Sequence, residues 1–252
     1  MIRVSVSGAA GRMGQATAAA LAGAHDIEVV CLYDPLHDGL VVADRTVAGD
    51  PLCAIGSEVV VEFTHPEVVM ENLERWRRIG AHVVVGTSGF DQPRIDAVAE
   101  IFGDGPPNCL IVPNFSIGAV LMMRFAEMAA PFFAASEVIE LHHDRKVDAP
   151  SGTAIATAAR MAAASSGQRR HTESTEITQG ARGASVDGVP VHSVRLPGLL
   201  AHQEVLLGND GEVLTIRHDS TDRSSFMPGV LLAVRNVAGL PGVNVGLDPL
   251  LG

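Results

Sequence analysis

Ile2-Arg-Val-Ser-Val-Ser-Gly-Ala-Ala-Gly-Arg-Met-Gly14, running on into the alanine-rich stretch that ends near Ala22, decides how this chain folds. Residues 2–7 read as a short, β-branched, buried strand. Gly8 to Gly14 read as a turn, and the alanine-rich run as a helix. Strand, glycine turn and helix in that order give meaning to a glycine pattern that is weak by itself. The spacing is G-x-x-G-x-x-G rather than the commoner G-x-G-x-x-G. The physical requirement is shared: a tight turn, close backbone approach to a pyrophosphate, and a helix N-terminus facing its charge. A glycine turn that binds nothing is the competing reading.

Outward from that stretch, Ile27 to Tyr33 form a second strand pattern ending at Asp34, which lies 20 residues after Gly14 and 26 after Gly8. An acidic residue in that zone takes the ribose hydroxyls of a dinucleotide. A carboxylate there repels the extra phosphate of NADP and so favours NADH; Arg12, inside the turn, offsets that repulsion, and use of both stays open. Val59–Phe63, His82–Val85 and Cys109–Asn114 read as further strands, with helices expected from Thr64 through Arg78 and from Asp91 to Phe102. The fourth strand runs into Gly86-Thr-Ser-Gly-Phe90, a small hydroxyl-bearing loop suited to the nicotinamide ribose. This alternation implies a parallel, doubly wound sheet, a Rossmann-like dinucleotide-binding domain with its ligand at the carboxyl ends of the strands.

The second half has a different pattern. A helix is expected from Ser116 to about Phe133, a strand over Glu137–His143, and a helix over Thr153–Ser165. A long polar, glycine-dotted loop over 167–188 reads as a lid or binding loop. Strands follow at Val189–Leu196, His202–Leu207 and Glu212–His218, with a tight turn at Asn209-Asp-Gly211. A last helix spans Phe226–Val237, and Pro241–Gly252 has strand or turn character. The fold class is therefore α/β: the Rossmann-like domain plus a smaller α+β domain with an open mixed sheet.

Composition narrows the partners. The chain has 252 residues, 47% of them apolar and 19% charged, so disorder is not expected. A net charge of −11 argues against nucleic acid and anionic membrane surfaces. No apolar run approaches a membrane span, and the N-terminal residues lack the layout of a signal peptide. Cys31, Cys53 and Cys109 are widely spaced, which fits reduced, structural thiols in the cytoplasm better than disulfides or zinc. Aromatic residues are only 4%, so the core must come from Ala, Val, Leu and Ile.

Against this acidic background, Glu140-Leu-His-His-Asp-Arg-Lys-Val-Asp-Ala-Pro-Ser-Gly-Thr153 gathers two imidazoles, a guanidinium and an ammonium into five positions, just before a helix start. On a strand His142 and His143 point to opposite faces, so one at most faces a given ligand atom. Cys or carboxylate partners at familiar metal spacing are missing nearby, and no metal is expected. Lys146 can neutralise an anion, or donate a proton if its environment lowers its pKa. Arg145 reads as solvated. Ser151, Gly152 and Thr153 offer N–H groups and hydroxyls at a helix N-terminus, a carboxylate cradle. The cluster points to a small dicarboxylate substrate.

The chain resembles the 4-hydroxy-tetrahydrodipicolinate reductases (dihydrodipicolinate reductases) of diaminopimelate and lysine synthesis over nearly its whole length. Gly8 to Gly14, Val85-Gly-Thr-Ser-Gly-Phe90, Pro113-Asn-Phe-Ser-Ile-Gly118, Gly180-Ala-Arg-Gly-Ala-Ser-Val-Asp-Gly188 and above all the stretch from Glu140 to Thr153 carry the likeness. The resemblance implies that Gly8, Ala9, Ala10, Gly11, Arg12, Met13, Asp34, Gly86, Thr87, Ser88, Val112, Pro113, Asn114 and Phe115 hold NADH or NADPH. It implies that His142 is a proton donor and acceptor, that Lys146 is a proton donor, and that His143, Gly152 and Thr153, beside Ser151, bind substrate. It also implies a homotetramer joined through the sheet of the second domain, with the C-terminal segment returning to the first. The expected domains are thus 1–116 with 225–252, and 117–224. Ser88 replaces the family's usual Thr, and Glu62 stands where Asp is usual. The competing readings are another Rossmann-type amino-acid dehydrogenase, and a non-catalytic dinucleotide sensor that has no need of the His142–Lys146 cluster.

Overall fold

The β-branched run Ile2–Ser7 forms strand β1, and the glycine turn behind it opens into helix α1, Arg12–Ala22. Both belong to the first of two units in the computed structural model, which describes residues 1–165, 170 and 173–252. The first unit comprises Met1–Ser116 with Phe226–Gly252, and the second Ile117–Ser225.

In the first unit the chain continues through β2 (Ile27–Tyr33), a small hairpin of β3 (Val41–Val42) and β4 (Arg45–Thr46), β5 (Val59–Glu62), α2 (Val69–Arg78), β6 (His82–Val85), α3 (Gln92–Phe102) and β7 (Cys109–Ile111). After the second unit it returns as α6 (Met227–Asn236) and β13 (Val243–Val245). The sheet order is β13-β7-β6-β5-β1-β2, every neighbouring pair parallel. Val4, Val6, Val60, Val61 and Val83 to Val85 have no exposed surface, as strands covered on both faces require. Trp76, Leu73 and Phe102 from the helices close over one face. The order reverses beside β1, with β2 on one side and β5 on the other, which opens a crevice at the strands' carboxyl ends.

Two glycines of the turn are sterically required. Gly8 has φ +77°, and a Cβ on Gly14 would lie 2.1 Å from the Gly8 carbonyl oxygen. Two expectations are corrected in this unit. Helix α2 begins at Val69, not Thr64, because Val68 and Val69 both donate their N–H to the His65 carbonyl and residues 66–68 form a turn. Cys31 and Cys53 are joined in a disulfide across a separation of 22 residues, with Cα atoms 5.6 Å apart. Strand β2 carries the first, and a short 3-10 turn at Pro51–Ala54 folds the second back onto it. Cys109 remains a free, buried thiol, its pKa pushed up by burial.

The second unit contains α4 (Ile117–Ala129), β8 (Ala135–His142), α5 (Gly152–Ala164), β9 (Ala184–Val186), β10 (Val189–Arg195), β11 (Ala201–Asn209) and β12 (Glu212–Ser220). Its sheet order is β12-β11-β8-β10-β9; β8 and β10 run parallel and the other pairs antiparallel. Ala126, Ala130, Ala154 and Ala158 let the helices approach closely and pack with Met161 over Val138, Val191, Val205 and Leu207. The other face carries polar pairs, an ion pair of Arg217 with Glu204 at 2.7 Å and a hydrogen bond between His202 Nδ1 and Asp219 at 2.6 Å. Of the expected long loop, residues 167–169, 171 and 172 lie outside the described residues. Its far end is not loop: Asp187 (φ +47°) and Gly188 (φ +82°) make the two-residue turn of a hairpin pairing β9 with β10. No helix among the described residues is long and apolar enough to cross a membrane.

Candidate active site

In the first unit the predicted dinucleotide residues gather at the carboxyl edge of the sheet. Gly8 and Ala9 both donate their N–H to the Tyr33 carbonyl, at 2.9 and 3.1 Å, which draws the turn against the end of β2. Gly11 is the N-cap of α1 and no side chain among the described residues caps the helix there, so its first-turn N–H groups suit an anion. Arg12 is exposed beside them and Met13 half-buried. Asp34, at the end of β2, is bound to this turn. Its Oδ2 accepts the Ala10 N–H at 3.2 Å, while Oδ1 accepts from the Leu36 N–H at 3.1 Å and pairs with His37 Nδ1 at 2.9 Å.

The other two dinucleotide segments split into exposed and buried members. Gly86 N–H donates to the Glu62 carbonyl at 2.9 Å. The Thr87 hydroxyl donates to the carbonyls of Glu62 and Thr64 and is buried, so it fastens the loop, whereas Ser88 is exposed. Val112 is buried and its N–H meets the Val85 carbonyl at 2.8 Å. Phe115 is buried against Phe63, ring centroids 5.4 Å apart. Pro113 is exposed, and Asn114 accepts the Ser116 N–H at 2.9 Å. Glu62, where the resemblance leads one to expect Asp, has no exposed surface; it accepts from Trp76 Nε1 at 2.7 Å, from Asn72 at 3.3 Å and from the Thr64 hydroxyl. Burial pushes its pKa up. It secures the loop after β5 from below.

The second unit brings the predicted catalytic and substrate residues together. Val138, Glu140 and His142 alternate along β8, so all three project to the face that α5 covers. His142 is the last residue of the strand, and its Nδ1 lies 2.5 Å from Oε2 of the buried Glu140. Burial holds the His142 pKa below its ordinary value; Glu140 opposes that shift, and Lys146 and Arg195 add to it. His143 falls just past the strand, in a turn closed by the Lys146 N–H on its carbonyl at 3.1 Å, and its Nδ1 is buried without a hydrogen-bond partner among the described residues. Lys146 Nζ lies 2.8 Å from both carboxylate oxygens of Asp148. Arg145 is exposed.

The helix start is built as the sequence implied. Ser151 is the N-cap of α5, its hydroxyl accepting the Ala154 N–H at 3.2 Å. Gly152 is exposed at the first helical position, and a Cβ there would meet nothing within 4 Å. Thr153 follows, its carbonyl accepting from the Thr157 hydroxyl at 2.7 Å. An imidazole with a free edge, an ammonium and a helix N-terminus are thus placed within one unit. That set can bind carboxylates and deliver a proton. Residue patterns missed three members: Glu140, Asp148 and Arg195. The period-2 spacing of Glu140 and His142 was the one available signal for the first. Among the described residues, no group of three His, Cys, Asp or Glu is arranged to hold a metal ion.

Comparison with known proteins places this geometry. Residues 2–115 match the family model described as dihydrodipicolinate reductase, N-terminus, and residues 118–251 the model of its C-terminus. A 4-hydroxy-tetrahydrodipicolinate reductase of Nocardia farcinica is 56% identical over 255 residues, covering 99% of this chain and 98% of that protein. One from Mycobacterium sp. (strain JLS) is 51% identical and covers 99% of both. The structure of dipicolinate-bound dihydrodipicolinate reductase from Paenisporosarcina sp. TG-14 superimposes with a TM-score of 0.85 at 37% identity, covering 100% of both chains. The chain belongs to the dihydrodipicolinate reductase family.

Proposed function

We propose that this chain reduces 4-hydroxy-tetrahydrodipicolinate to tetrahydrodipicolinate, in the diaminopimelate route to lysine, with hydride from NADH or NADPH. One observation carries the reading: His142, Lys146 and the Ser151–Thr153 helix start stand together at the end of β8, against an acidic chain that has little reason to concentrate positive charge there. The dipicolinate of the Paenisporosarcina structure is a ring dicarboxylate of the kind such a cluster suits.

The nicotinamide supplies the hydride, and the protein supplies orientation, charge and a proton. One carboxylate of the substrate takes the N–H groups at Gly152 and Thr153, with the Ser151 N-cap fixing the helix start; His143 and Lys146 attract the dianion. As hydride adds to the unsaturated ring conjugated with the imine, electron density builds on the ring. Positive groups that strengthen their hold at that stage lower the barrier selectively. His142 and Lys146 deliver the proton, and in the net reaction one hydride and one proton enter while one water leaves. Residues 8–13 hold the pyrophosphate and Asp34 the ribose. The Asp34 carboxylate favours NADH, while exposed Arg12 makes NADPH usable. Likeness to the family supports a homotetramer joined through the second unit's sheet, and the need for reduced nicotinamide supports a cytoplasmic enzyme.

The test is a coupled assay in which the preceding synthase makes the substrate from pyruvate and aspartate semialdehyde, with NADH and NADPH run in parallel. Fast coenzyme oxidation that needs both precursors is expected. Binding of NADH without oxidation would favour the sensor.

A further inference from the structure

We infer that Glu140, clamped by Arg195, is the positioning residue that fixes the His142 ring in one tautomer and registers it to the start of α5. The inference rests on the proposed proton role of His142.

Glu140 has no exposed surface, and four N–H contacts from His142, Arg195 and Ser151 converge on its carboxylate. Oε2 meets His142 Nδ1 at 2.5 Å and accepts from Arg195 Nη1 at 2.8 Å. Oε1 accepts from Arg195 Nη2 at 2.8 Å and from the Ser151 backbone N–H at 3.1 Å. The β10 register sets Arg195 beside His142, so the guanidinium approaches along the same sheet face. Burial pushes the Glu140 pKa up, but hydrogen bonds from Arg195, Ser193 and His142 outweigh it and hold the group below the usual carboxylate range. An ionised carboxylate only accepts. His142 Nδ1 must therefore carry the hydrogen, which leaves Nε2 as the atom that exchanges a proton with substrate. One side chain thus ties the proton-transferring ring to the N-terminus of the carboxylate cradle.

Arg195 extends the arrangement to Lys146. Its Nη2 also donates to the Asp148 carbonyl at 2.6 Å, and the Asp148 side chain holds the Lys146 ammonium. It also balances charge. Glu140 favours the charged ring, whereas burial first, and then Lys146 and Arg195, pull the other way and leave the His142 pKa below its ordinary value. An ion pair with one partner fully buried contributes little net stability, because desolvation offsets its attraction. Positioning accounts for the pair where stability does not.

The test uses the full-length enzyme, with Glu140→Gln and, because that change leaves the half-buried Arg195 without its Glu140 counter-charge, Glu140→Gln/Arg195→Gln. Folding is checked by thermal melts. Turnover is expected to fall about 10- to 100-fold, a share of the loss for a misplaced proton donor. Substrate KM should move less than about threefold and NADH affinity stay level. The His142 limb of the kcat–pH profile should move to lower pH in Glu140→Gln, because the group that raises the His142 pKa is gone while Lys146 and Arg195 remain. In the unmodified enzyme, ring nitrogen chemical shifts should show His142 with hydrogen on Nδ1, a measurement that needs no variant to fold. A wild-type ring with hydrogen on Nε2, or folded variants with native turnover and an unmoved limb, would overturn the inference. His142→Gln separates the two readings. Loss of turnover there but in neither Glu140 variant overturns the positioning role alone; native turnover there overturns the proton role and the inference with it.

Discussion

Oδ2 of Asp34 accepts the backbone N–H of Ala10 at 3.2 Å, so the carboxylate at the end of β2 is fastened to the glycine turn at the end of β1. The same group that is to hold the ribose therefore also shapes the pyrophosphate turn. Asp34→Asn keeps the size and removes the charge. We predict about a tenfold loss of NADH affinity, roughly 1.4 kcal/mol, and a smaller loss for NADPH, whose phosphate is no longer repelled. Fluorescence titration with both coenzymes checks this; equal losses would show that charge does not set the preference.

Lys146 is held by Asp148 through two hydrogen bonds of 2.8 Å, and of its three N–H donors one remains for a substrate. Lys146→Ala should lower kcat by about 10²–10⁴, the range for loss of a proton donor. NADH affinity should stay near its native value. Weak coenzyme binding with unchanged turnover would place Lys146 in the wrong role.

Open space over Gly152 is itself a prediction about substrate. A Cβ there meets nothing within 4 Å, and the residue opens α5. Gly152→Ala should leave thermal stability within about 0.5 kcal/mol of native or slightly improve it. The methyl would stand where a carboxylate approaches the helix end, so substrate KM should rise by about tenfold or more, some 1.4 kcal/mol of lost binding. A native KM would move the carboxylate site elsewhere.

Asp26 and Arg235 pair at 2.7 Å and join the returning helix α6 to the turn before β2. The Arg235 hydrogen bond holds the Asp26 pKa at about 2, below its usual 3.8. A depressed folded-state pKa means the contribution is present above the unfolded value and lost as pH falls through the folded one. The melting temperature of the wild type should exceed that of Asp26→Asn at about pH 6, and the gap should close between about pH 4 and pH 2. A gap independent of pH would rule out the ion pair as its source.

Much of this arrangement was legible in local sequence. Residues 2–22 gave strand, turn and helix because Gly8 and Gly14 have local steric reasons, and Asp34 was placed by its distance from them. Ser151 announced the start of α5 because an N-cap is a local device. What was hidden depends on long-range approach. Arg195 reaches Glu140 across 55 residues, and Cys31 reaches Cys53 only because a short turn folds back onto β2. The Asp187-Gly188 hairpin was overlooked inside a polar stretch whose composition resembles a loop. Thr87 has a hydroxyl suited to a ligand, yet two backbone carbonyls claim it, which no spacing reveals.

The most direct measurement of the central claim follows the hydride. The enzyme is supplied with synthase-made substrate and NADH deuterated at both C4 positions of the nicotinamide, and the product is analysed by mass spectrometry. The account predicts tetrahydrodipicolinate carrying one deuterium, formed in step with coenzyme oxidation and lost in His142→Gln and Lys146→Ala. Unlabelled product, or coenzyme consumed without reduced product, would contradict it.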